Sequence, residues 1–230
     1  MTARGLLATL LMLALSGLMP AWSGECTEGE SRLLSRLEYW NGRSFAGDPR
    51  ACGEISGALR CLVYNRIDLL HWAGPNTAGY FQSLRDSPLR PRVVSACTPL
   101  LTAPECSPYG DLGLQAAEDL AMFGVKQANG HDILGILVDR SRSSQTRLPY
   151  LALAAIGDSR VLAVLRTTYD SLSVGARDEA ASYEILQLVN CLYHLPGDSS
   201  VAFAAAITDA DPDTAVVARA RHVVEARRQR

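Results

Sequence analysis

Lysine is nearly missing from this chain: Lys126 stands alone among 22 basic residues, and every other cation is arginine. An arginine bias of this kind is the mark of a GC-rich genome and points to a bacterial source. Acidic and basic residues nearly balance, leaving a formal charge of −2 over 230 residues. No net positive field is present to draw the chain onto nucleic acid or an anionic membrane. Beyond the N-terminus, no apolar run reaches the ~20 residues that span a bilayer. Strand-like alternation is scarce. The chain also lacks G-x-S-x-G, H-E-x-x-H, C-x-x-C, C-x-x-C-H, a P-loop and a dinucleotide fingerprint. His71, His131, His194 and His222 share no helix face at metal-ligand spacing. These patterns therefore supply no catalytic residue, cofactor site or metal site.

What is present begins with a targeting segment. Met1 to Arg4 carries one positive charge, Gly5 to Met19 is an apolar run, Pro20 breaks it, and Ala21-Trp22-Ser23 offers small residues for cleavage. Residues 1–23 are expected to be a signal peptide with Gly24 as the mature start, directing the chain to the periplasm or the medium. The run is short for an uncleaved anchor, and Glu25 before Cys26 does not suit a lipobox. The rest divides at the Pro-, Ser- and Cys-rich stretch Thr102 to Gly110, giving segments 24–110 and 111–230.

All six cysteines, at 26, 52, 61, 97, 106 and 191, lie in the mature part. Six cysteines in an oxidising compartment allow 15 pairings. Cys52 and Cys61 share a helix, where nine residues separate them by about 13 Å, beyond the ~7 Å reach of a bridge. A helix over 28–41 lying antiparallel on one over 49–72 brings residue 26 near 61, so Cys26–Cys61 is the expected non-local pair. Cys97–Cys106 closes a turn across Pro104. Cys191 sits on an apolar helix face as a free buried thiol.

Helical periodicity covers the mature chain. Asp48-Pro49 opens a helix with a cap and a proline at its first position. Cys52, Ile55, Leu59, Leu62 and Val63 share one face of it. Asn129-Gly130 marks a turn. Leu148, Leu151, Ala152, Ala155 and Ile156 form an amphipathic stripe. Two motifs then match forty positions apart: Gly157-Asp158-Ser159-Arg160-Val161 and Gly197-Asp198-Ser199-Ser200-Val201. In each, the glycine suits the left-handed stop of one helix, and the aspartate or a serine suits the cap of the next. A recurring helix–Gly-Asp–helix unit indicates stacked helix pairs.

The run Leu151-Ala152-Leu153-Ala154-Ala155-Ile156-Gly157-Asp158-Ser159-Arg160-Val161-Leu162-Ala163-Val164-Leu165 resembles a bacterial HEAT repeat of the lyase-associated type. Asp209-Ala210-Asp211-Pro212-Asp213 resembles the acidic turn between such repeats. The likeness covers 147–222 and is closest over 147–170. Ser159 replaces the usual proline, and the stretch from Thr167 to Asp178 is long. The resemblance implies an all-α fold, an α-solenoid of antiparallel helix pairs, that binds an as yet unidentified protein partner. It carries no catalytic residues.

Two further readings come from single positions. Tyr64, His71, Trp72 and Tyr80 form an aromatic group around Gly74-Pro75-Asn76 that suits a binding patch. The alternative to an interaction module is an exported enzyme, such as a hydrolase, with its site in residues 40–110. His131-Asp132 is read as a helix start, His194 as a helix C-terminus, and Arg227-Arg228-Gln229-Arg230 as a solvated basic last turn.

Overall fold

A computed structural model describes residues 28–41, 48–63, 75–103, 105–106, 109–143, 147–174 and 177–229. Among these residues the chain is mostly helical, with eleven α-helices and two very short hairpins. In chain order the helices are α1 (Glu30–Asn41), α2 (Pro49–Val63), α3 (Pro75–Arg85) and α4 (Arg90–Cys97), the last running into a 3-10 turn, Thr98–Thr102. Then come β1 (Glu105–Cys106), β2 (Gly110–Asp111), α5 (Leu112–Met122), β3 (Gln127–Ala128), β4 (His131–Asp132) and α6 (Ile133–Ser143). The chain closes with α7 (Tyr150–Ile156), α8 (Val161–Leu172), α9 (Glu179–His194), α10 (Asp198–Ala210) and α11 (Thr214–Arg228).

The local signals act as their chemistry requires. The Asp48 carboxylate accepts the Arg50 and Ala51 N–H groups at 2.9 and 3.4 Å, with Pro49 opening α2. Asn129 and Gly130 both take positive φ, 48° and 81°, and form the tight turn between β3 and β4. Asp111, Asp178 and Asp213 cap α5, α9 and α11 through backbone N–H groups.

Helix α5 is buried along most of its surface, with only Gln115 and Glu118 half-exposed, and organises the first two-thirds of the chain. It packs against α2, α3, α4, the 3-10 turn, α6 and α7. Its small residues Gly113, Ala116, Ala117 and Ala121 let these neighbours approach closely. At its N-terminus, Arg140 of α6 donates to the Asp111 carboxylate at 2.5 Å and to the Leu101 and Ala103 carbonyls at 2.9 and 3.1 Å. A Cβ on Gly113 would collide with that guanidinium and with the Leu101 carbonyl. Farther along, α9 carries α7, α8, α10 and α11, and α10 pairs closely with α11. One hydrophobic core runs from Leu33 to Val224 and is continuous across residue 110.

The cysteines correct one pairing. Cys106 bonds Cys52, with Cα atoms 5.9 Å apart, whereas Cys97 is a free buried thiol. The expected Cys97–Cys106 link therefore does not form. Helix α4 continues into the 3-10 turn and aims Cys97 into the core, while β1 carries Cys106 to the α2 side. Cys191 is free and buried, as its place on an apolar face suggests. Cys61, half-buried on α2, is disulfide-bonded. Its expected partner Cys26 lies outside the described residues, as does the whole of segment 1–23.

One core group is at odds with its surroundings. Asp119 of α5 is 1% exposed, and its Oδ2 has no hydrogen-bond partner among the described residues. Burial, reinforced by Glu118, pushes its carboxyl well above the usual range. Burial also raises the thiol of Cys97 nearby, with a further push from Asp119.

Two predictions follow from this packing. Non-reducing peptide mapping should find Cys52 joined to Cys106 and Cys26 joined to Cys61, with Cys97 and Cys191 alkylated only after unfolding. The Cys52–Cys106 closure spans 54 residues, and on chain-entropy grounds its loss should cost about 4 kcal/mol. Burial holds the Asp119 carboxyl well above the pH of about 4 at which an unfolded aspartate ionises. Folding therefore takes up a proton, and stability is greatest below that pH and falls as pH rises toward the folded-state pKa. Asp119→Asn removes this slope. Its stability relative to the native chain should grow by up to about 1.4 kcal/mol per pH unit between about pH 4 and the folded-state pKa of Asp119; parallel denaturation profiles for the two proteins would refute the assignment.

Candidate functional site

The two Gly-Asp motifs fold differently. Gly157 has φ 59° and ψ 34°, the left-handed stop of α7. Asp158 then accepts the Arg160 N–H at 2.9 Å, and its carbonyl accepts the Val161 N–H at the start of α8. Gly197 instead has φ 84° and ψ 163° and precedes α10. Helix α9 has already ended at His194 through an extended Leu195. Asp198 is the first residue of α10 and is exposed, with no capping bond at Gly197. Here Ser200 closes the turn by donating to the Gly197 carbonyl at 2.8 Å and to that of Leu195 at 3.2 Å. Pro196 accounts for the difference. It disfavours the helical conformation at Leu195, so the chain leaves α9 two residues before the glycine.

The Gly157 corner gathers charge from four other parts of the chain. Arg160 lies between two carboxylates: it reaches Asp132 at 2.8 and 2.9 Å and Asp158 at 2.8 and 3.1 Å. Its hydrogen bonds hold both aspartates below the usual carboxylate range, and the pair raises the guanidinium in return. Asp132 also receives the Gly135 N–H, so it caps α6 from its place in β4. Lys126 donates to the Gly157 carbonyl at 3.3 Å and Arg85 to the Ala155 carbonyl at 2.5 Å, so two cations cover the C-terminus of α7. Arg90 donates to the Phe123 carbonyl at 2.9 Å, just past the end of α5. The Arg85 stem crosses Gly124, where a Cβ would meet Cγ at 2.8 Å.

A second polar cluster lies in the acidic turn at 209–213. Burial raises the Asp211 carboxyl, but Arg177, the Asp213 N–H and Tyr169 outweigh it and hold it below its ordinary range. Arg177 donates at 2.6 Å, Asp213 N–H at 2.9 Å and Tyr169 OH at 2.9 Å. With both oxygens bonded, Asp211 ties α8 to the α10–α11 turn. A recess of about 250 Å³ beside it, lined by Pro212, Thr214, Val217, Ala218 and Arg221, is built almost wholly from that turn and one face of α11.

The aromatic patch is only partly in view. Tyr64, His71 and Trp72 lie outside the described residues, and so does the centre of the proposed hydrolase site. Tyr80 is half-buried on α3. Its neighbour Phe81 meets the His194 ring edge-on at 5.1 Å, and Tyr193 stacks on His222 at 6.3 Å. His194 thus belongs to an aromatic row joining α3, α9 and α11. Sequence reasoning singled out Gly157 and Asp158 but missed Arg85, Arg90 and Lys126 as their neighbours. The available signal was slight: Lys126 is the lone lysine, and Arg160 stands inside the motif.

Among the described residues, no group of His, Cys, Asp and Glu is arranged to hold a metal ion. The corner's chemistry is that of oriented cations and main-chain caps, suited to receiving an anionic group. Comparison with family models, with curated proteins and with solved structures yields no match.

The contrast between the glycines gives a mutational test. Asparagine tolerates the left-handed region, so Gly157→Asn should cost less than about 1 kcal/mol. The φ and ψ of Gly197 lie in a region almost confined to glycine, so Gly197→Asn should cost on the order of 1–3 kcal/mol. Equal shifts in thermal midpoint would contradict the difference.

Proposed function

We propose that this chain is an exported helical-repeat protein-interaction module, with residues 147–222 forming a HEAT-like stack and no catalytic role. The observation that carries this reading is the succession of helices on α9, which supports α7, α8, α10 and α11. Helices gathered on one central helix in this way hold their outer faces rigid for a partner. Export is supported by the N-terminal charged, apolar and small-residue pattern and by the Cys52–Cys106 disulfide, which suits an oxidising compartment. The polar clusters agree with a scaffold, since their hydrogen bonds go to main-chain caps and ion pairs.

The test is recovery of a partner. The tagged full chain, expressed in its native host, should be found in the periplasmic or culture fraction. Affinity capture followed by mass spectrometry should return one protein in near-stoichiometric amount across independent preparations. Exclusive recovery from the cytoplasm would overturn the export reading, and no recurrent partner under varied salt and growth conditions would overturn the module reading.

A further inference from the structure

We propose that the Gly157 corner docks an acidic peptide segment, whose carboxylates are received by Arg85, Arg90 and Lys126. This deepens the interaction-module reading and rests on it. Three observations support it.

The first is a local excess of positive charge in a chain whose formal charge is −2. Four cations, Arg85, Arg90, Lys126 and Arg160, meet here, and the two carboxylates of the corner, Asp132 and Asp158, are both engaged by Arg160. Asp86, next in chain to Arg85, accepts from the neutral Gln82 amide at 2.8 Å and keeps its charge, so the excess of cations is one when it is included. Arg85, Arg90 and Lys126 make no direct ion pair with any described carboxylate, although the Lys126 charge helps to hold Asp158 ionised from a distance.

The second is orientation. Each of the three cations uses one donor on a main-chain carbonyl at a helix end, which fixes its direction without neutralising it. Arg90 donates through Nε and keeps its Nη1–Nη2 edge, the fork that matches a carboxylate. Lys126 is exposed and both arginines are partly exposed, with the Arg85 stem and Nε held against Gly124.

The third is scale. Nucleic acid is bound along an extended basic stripe, and an anionic lipid surface by clusters of about four to eight cations. Three cations without a direct ion pair among the described residues, around one helix corner, fit one or two carboxylates on a peptide.

The experiment measures anisotropy of an N-acetylated, fluorescein-labelled hexaglutamate peptide titrated with the mature chain at low salt. Saturable binding is expected, absent for hexaglutamine and largely lost in roughly 0.5 M salt, where charges are screened. R90Q/K126Q should weaken it about tenfold. R227Q/R228Q, in the basic C-terminal turn, should leave it unchanged. Because Lys126 is the chain's one lysine, carbodiimide coupling of the bound peptide should place the new amide at that residue rather than at the N-terminal amine. Should R90Q/K126Q lose its helical circular dichroism, K126Q alone and the position of the amide decide the matter.

Absence of saturable binding would overturn the proposal. So would equal affinity in R90Q/K126Q, loss through R227Q/R228Q, or binding of inorganic phosphate or phosphatidylglycerol vesicles without binding of the peptide. A captured partner protein that R90Q/K126Q retains would remove this inference and leave the module reading standing.

Discussion

The enclosure of α5 is the constraint on which the rest of the molecule depends. An eleven-residue helix whose side chains are apolar or small except at Gln115, Glu118 and Asp119 has only a narrow strip to offer water, so it must be surrounded on the rest. Helices α2, α3, α4, α6 and α7 do this, and the order in which they reach it determines where the chain turns. Its N-terminus is the most demanding point, because orphan N–H groups there are buried. Asp111 accepts one of them, and Arg140 then compensates the Asp111 charge while tying down the Leu101 and Ala103 carbonyls. Gly113 leaves the space in which that guanidinium sits.

The placement of the Gly157 corner follows from that enclosure. Helix α7 is seven residues long and buried throughout, packed on α5, α6 and α9. Its carbonyl end emerges beside the end of α5, where Gly124, at φ 69°, redirects the chain toward β3. Two helix C-termini with unmet carbonyls thus come together, and arginines and a lysine are the side chains that can satisfy both their hydrogen bonds and their partial negative charge.

Much of the helical content was legible in the sequence, because caps and periodicity are local. Asp48-Pro49, Asn129-Gly130 and Gly157 behave as their chemistry dictates. The failures arose where local identity hid a different context. Gly197-Asp198 repeats Gly157-Asp158 letter for letter, yet Pro196 ends α9 earlier and leaves the glycine to introduce α10. The same limit applies to Cys106. Judged by spacing it belonged with Cys97, but the 3-10 turn after α4 rotates Cys97 inward, and the partner is Cys52, 54 residues away. The charged corner was legible only at its centre, since Arg85, Arg90 and Lys126 reach it from separate elements through tertiary contacts that no periodicity announces.

A cation that caps a carbonyl differs in consequence from one that pairs with a carboxylate. The Asp132–Arg160–Asp158 group uses the guanidinium on both sides and ends with a net negative charge. Arg85 and Arg90 spend their hydrogen bonds on main-chain oxygens, and Lys126 also feels the Asp158 carboxylate beside its Gly157 carbonyl, so the two arginines carry most of the corner's uncompensated charge. Stability and recognition then draw on the same side chains, and removing one loses both. An arginine-to-lysine change at position 90 would separate them. Lysine keeps the charge and can still reach the Phe123 carbonyl, but it lacks the planar fork that grips a carboxylate through two nitrogens. The corner's structural role depends on charge at a helix end, whereas recognition depends on the geometry of the donors left over.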